Sequence, residues 1–138
     1  MGGMSRLKLI GIVAALILAA LGLGFAWGAS GRVALVQGVE DMKQQLDVAE
    51  ARGHILDARV SLYNVNFGNA QRELDDARTP LARARDRAQA EGKKDAADAF
   101  SAALEHVQNA QRLASRLDQT ANSQADQALK SIQKATSR

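Results

Sequence analysis

Glu50, His54 and Asp57 stand at i, i+4 and i+7. On a helix all three share one face, a spacing at which an imidazole and two carboxylates could meet a divalent metal. Metal centres in helical bundles draw ligands from several helices. The other histidine, His106, would fall opposite roughly residue 78 of an antiparallel hairpin, far from this group. The ligand count therefore favours a solvated helix face, and no metal is expected. The chain has no cysteine, which removes thiolate chemistry and haem attachment. It holds no glycine-rich phosphate loop and no nucleophile beside a base. An enzyme is not expected, and neither is a cofactor.

Two other groups could bind a partner. Arg78, Arg83, Arg85, Arg87, Lys93 and Lys94 face only Asp86 and Glu91 over residues 77–94, whereas residues 40–76 carry eight acids against four bases. An extended rod would be acidic at one end and basic at the other, and its basic tip could dock on an acidic surface. The bland alternative is a salt-bridged helix end. Tyr63, Asn66, Phe67 and Asn69 form the second group. Tyr63 and Phe67 fit core packing, while the asparagines could hydrogen-bond a partner or a second helix. The Tyr63-Asn64 and Phe67-Gly68-Asn69 segment resembles tetratricopeptide helices, but the alanine and aromatic spacings of that repeat fail and no 34-residue period appears.

The elements that position these groups read as helices. Apolar or small residues recur in a 4-3 rhythm at Leu35, Val39, Met42, Leu46, Ala49, Gly53, Leu56, Val60, Tyr63, Phe67, Ala70, Leu74, Ala77 and Leu81. Such a series is the seam of helices packing by knobs into holes. A break or kink is expected at Thr79-Pro80, since proline cannot donate to the helix. Glu91-Gly92-Lys93-Lys94 reads as a turn, with Asp95 as the next N-cap. The rhythm resumes at Ala96, Phe100, Ala103, Val107, Ala110, Ala114, Leu117 and Ala121. The fold expected is all-α: an antiparallel helical hairpin, coiled-coil-like, over residues 39–119 with its turn near 91–95. A break at Thr79-Pro80 would make it three helices. Residues 120–138 form a weakly patterned helical tail.

Residues 9–29 are apolar or glycine without exception. A helix of that length spans the ~30 Å hydrocarbon layer of a bilayer. Arg6 and Lys8 precede the run, and no acid occurs before Glu40. The positive-inside tendency then keeps residues 1–8 in the cytoplasm and exports the rest through the connector 30–38. Trp27 suits the outer interface. Gly11, Ala15, Ala19, Ala20, Gly24 and Gly28 recur at spacings that let a second membrane helix approach. The net charge of +3 belongs to the flanks of this run, which removes the nucleic-acid reading.

These observations describe a single-pass protein of a bacterial inner membrane with a periplasmic helical domain. The role expected is an accessory or structural subunit of a larger membrane complex, respiratory or photosynthetic assemblies being examples. Its partners would be lipid and the membrane and periplasmic subunits of that complex, with a homo-oligomer also open. A free membrane-tethered adaptor or sensor is the alternative. Cleavage of the N-terminus would instead give a secreted, chaperone-like helical protein.

Overall fold

The structure, a computed structural model, describes Val36 and residues 38–137. The chain divides into two compact units, residues 1–41 and 42–138. The expected membrane span 9–29, its small packing residues Gly11, Ala15, Ala19, Ala20, Gly24 and Gly28, and Trp27 lie outside the described residues. No helix among the described residues is long and apolar enough to cross a membrane. The second unit is all-helical and contains most of the described chain.

Four helices follow one another: α1 over 38–63, α2 over Phe67–Ala90, α3 over Lys94–Ala114 and α4 over Ala121–Thr136. Each reversal uses the same hydrogen-bond device. At the first, Asn66 N–H donates to the Ser61 carbonyl and Val65 N–H to that of Leu62. At the second, Lys93 bonds Ala88 and Gly92 bonds Gln89; at the third, Asp118 bonds Leu113 and Leu117 bonds Ala114. Paired six-to-one and five-to-two bonds around a left-handed residue define the Schellman motif. The left-handed residues are Val65 at φ 60°, Gly92 at φ 70° and Leu117 at φ 57°. Glycine adopts that conformation freely, whereas the β-branched Val65 is strained there. The Asn66 side chain then caps α2 by accepting from Asn69 N–H at 3.1 Å.

The expected break at Thr79-Pro80 is corrected. α2 runs without interruption from Phe67 to Ala90, and Pro80 is buried inside it. Proline there forgoes one backbone donor, while its ring fills a core position. The chain reverses earlier, at 64–66, where the Schellman bonds turn it. At the start of α3 the N-cap is Lys93, and Asp95 sits in the first turn, where its charge suits the positive helix end.

One reversal earlier than expected also changes which face of α1 is inside. The buried apolar positions of α1 are Val48, Ala51, Ile55, Ala58 and Leu62. The first four pack with Leu74, Leu81, Phe100, Val107 and Ile132 in a core otherwise filled by alanine. Alanine at the contacts lets helix axes approach closely. A second cluster of Leu62, Phe67, Ala70, Ala114 and Ala121 closes the end that holds the first and third turns. The seam expected along α1 lies on the opposite side. Met42, Leu46, Leu56, Val60 and Tyr63 are exposed, as are Ala49 and Gly53 between them. Beyond the turn the same series is correct: Phe67, Ala70, Leu74, Ala77 and Leu81 are all buried.

Candidate functional site

The exposed side of α1 is the most distinctive surface of the second unit. Met42 is 71%, Leu46 70%, Leu56 48%, Val60 60% and Tyr63 82% exposed. With the exposed Ala49 and Gly53 between Leu46 and Leu56, the spacing is three and four residues in alternation, so they form one stripe down the helix. Positions offset by two residues, from Val48 to Leu62, form the buried stripe. Two residues are a rotation of about 200° on a helix, so α1 is apolar on opposite faces. One face is covered by α2, α3 and α4. The other faces solvent.

The stripe ends in a shallow groove lined by Leu56, Arg59, Val60, Tyr63, Asn64 and, from α4, Asn122. Arg59 fixes its wall: Nε donates to Asn122 Oδ1 at 3.0 Å and Nη1 meets Asp126 at 3.2 Å. Gly53 sits mid-stripe, and a Cβ placed there would meet nothing within 4 Å. Glycine inside a helix costs about 1 kcal/mol relative to alanine, and nothing within the bundle requires it at this position.

The candidate groups from the sequence fall in different places. Tyr63 belongs to the exposed stripe. Phe67 is 7% exposed and packs in the end cluster. Asn66 caps α2, and Asn69 donates to Ser61 Oγ at 2.7 Å across the first turn, so both asparagines hold the reversal. The basic residues do not form a tip that stands apart. α2 runs back along α1, and this brings Arg83 to Asp47 at 2.8 Å and to Glu50 at 3.0 Å. Arg87 also binds Asp47. Arg78 meets Asp75, Arg85 meets Asp86, Lys93 meets Glu91 and Lys94 meets Asp98. Every cation of the group has a carboxylate beside it. Arg78, Arg83 and Arg85 line an open groove with Leu104 and Gln108 of α3.

His54 takes a partner that helix periodicity alone does not show. Its Nδ1 lies 2.8 Å from Glu73 Oε2 on α2, and Asp76 completes a cluster whose ligand atoms lie within 4.8 Å of one another. Asp57, grouped with His54 on the linear helix, is not in the cluster. The hydrogen bond to Glu73 raises the His54 pKa above its ordinary 6.5; burial opposes this, while the charges of Glu73, Asp76 and Glu50 add to it. A raised imidazole pKa stabilises the fold fully below pH 6.5, and the contribution is lost as pH rises through the folded-state value. Thermal midpoints should therefore fall as pH rises above 6.5, and His54→Gln should flatten that part of the profile. A profile of equal slope in the variant overturns the assignment.

No family model matches the chain, and no curated protein or solved structure matches it either.

Proposed function

We propose that this chain is a non-catalytic, membrane-anchored accessory or structural subunit. The apolar run 9–29 holds it in the bacterial inner membrane, and the helical domain is exported to the periplasm. There α1 serves as the docking helix that joins the domain to a larger membrane assembly, such as a respiratory or photosynthetic complex. The observation that carries the reading is the exposed stripe Met42, Leu46, Leu56, Val60 and Tyr63 on a helix whose opposite face already builds the core. A continuous apolar patch of this kind marks an interaction surface. The two-sided helix supports a structural rather than a chemical role, because its side chains are shaped for packing.

The test is extraction in mild detergent followed by native electrophoresis. The full chain should migrate with a species far larger than its own 14.7 kDa. Leu46→Glu combined with Leu56→Glu should remove most of that migration, about tenfold or more, because two buried charges at an interface are costly. Both side chains face solvent in the bundle, so the thermal midpoint should stay within the range of ordinary surface substitutions, about 0.5 kcal/mol. Migration of the unaltered chain as a lone small species overturns the proposal.

A further inference from the structure

We infer that the helix docked on the exposed face of α1 is α1 of a second copy, parallel and in register. The inference rests on the docking reading above and names the partner of that same surface. From Met42 to Tyr63 the exposed stripe follows a heptad pattern, with Leu46, Gly53 and Val60 at a positions and Met42, Ala49, Leu56 and Tyr63 at d positions. Three heptads, about 33 Å of helix, is the length at which an apolar seam becomes a credible coiled-coil signal. The seam is closed to the chain's own helices, which occupy the opposite face.

Charge selects the partner and its direction. In a parallel coiled coil each g residue faces the e residue five positions later on the other strand. Here Arg52 at g would face Asp57 at e of the second copy, twice by symmetry, and Gln45 would face Glu50. Arg52 and Asp57 are both exposed, and neither has an ion pair within the chain among the described residues. No like-charged pair arises. The antiparallel arrangement that keeps the same apolar layers sets Arg52 against Arg52 and Glu50 against Glu50 at its centre, against a gain from Lys43 facing Asp57. The chain before α1 favours the same direction. Residue 38, where the continuously described part of α1 begins, stands only nine positions after the apolar run in the sequence, so two copies held in one bilayer would enter α1 from the same side. Gly53 then has a role: it lets the two helices approach closely at mid-seam.

The absence of cysteine makes the test direct. Single-cysteine variants Leu46→Cys, Leu56→Cys and Tyr63→Cys are made in the full chain, in membranes, beside the control Glu105→Cys on the exposed side of α3. A disulfide requires Cα atoms about 5.5–6 Å apart, so only a parallel, in-register pair links each stripe position to itself. All three should form dimers on mild oxidation, about tenfold above the control. Arg52→Asp should lower the yield at Leu56→Cys by about fivefold, and adding Asp57→Arg should restore it, the scale expected of two exposed ion pairs. Linkage of Ala49→Cys to Gly53→Cys in a mixed sample, with none of Leu46→Cys or Tyr63→Cys to itself, would overturn the parallel register. Yields at the control level in a chain that still migrates with a larger complex would overturn self-pairing and leave the docking reading standing. Control-level yields in a chain that migrates alone would overturn both.

Discussion

Phe100→Ala should cost about 3–5 kcal/mol, the range for a large aromatic truncated to alanine in a packed core. Phe100 is 1% exposed and the largest fully buried side chain of the bundle. It lies on α3, in the core cluster that also holds Val48 of α1, Leu81 of α2 and Ile132 of α4. The surrounding positions are mostly alanine, whose side chains have no freedom to swing into the space. The cavity should therefore stay open, which places the loss in the upper part of the range. A domain of this size is stable by about 5–15 kcal/mol, and each kcal/mol lowers the midpoint by about 4–8 °C. A thermal melt followed by helical circular dichroism should thus shift down by well over 10 °C. Tyr63→Ala removes an aromatic of similar size that is 82% exposed within the chain, and should lower the melt far less, since it opens no cavity in the bundle. Similar losses for the two variants would mean that the inward and outward faces of α1 and α3 are wrongly assigned.

The contrast between these residues also shows what the sequence reveals. Helical class is legible because the three- and four-residue spacing runs through the chain. The turn at Gly92 is legible because glycine is the usual left-handed residue of a Schellman motif. Val65 and Leu117 occupy the same place in the other two reversals, and neither residue type signals a turn. Neither interrupts the apolar rhythm, so the series that ends at Leu81 steps from Tyr63 to Phe67 straight across the first turn. The one residue that does signal a break, Pro80, lies in the middle of α2. Reading one phase across a hidden reversal assigns α1 the wrong inner face. That is why Leu46, Leu56 and Val60 are expected in the core and found on the surface. The pairing of the basic residues with Asp47 and Glu50 is hidden for the same reason, since it depends on where α2 turns back.

Asp47→Ala is the polar counterpart, with an expected loss of about 2–3 kcal/mol. Asp47 is 5% exposed, and its carboxylate accepts from Arg83 Nε at 2.8 Å and from Arg87 Nη1. Burial pushes its pKa up, but the hydrogen bonds from Arg87 and Arg83, with their charges, outweigh this and hold it below the ordinary 3.8. Removing the carboxylate leaves two guanidinium groups facing each other at the α1–α2 contact. Arg83 is 46% and Arg87 20% exposed at the side chain, so water recovers part of the loss and keeps it below that of a fully buried pair. Arg83→Ala should cost less, because Arg87 still answers the carboxylate. The pH dependence has a definite sign. A depressed folded-state pKa gives stability that is present above pH 3.8 and is lost as pH falls through the folded value. The gap between the unaltered chain and Asp47→Asn should therefore be constant through neutrality and close only in strong acid. This is opposite in direction to the loss expected at His54, and the two variants together separate the acid limb of the stability profile from the alkaline one. A gap that closes toward alkaline pH would mean that a group other than Asp47 anchors the two arginines.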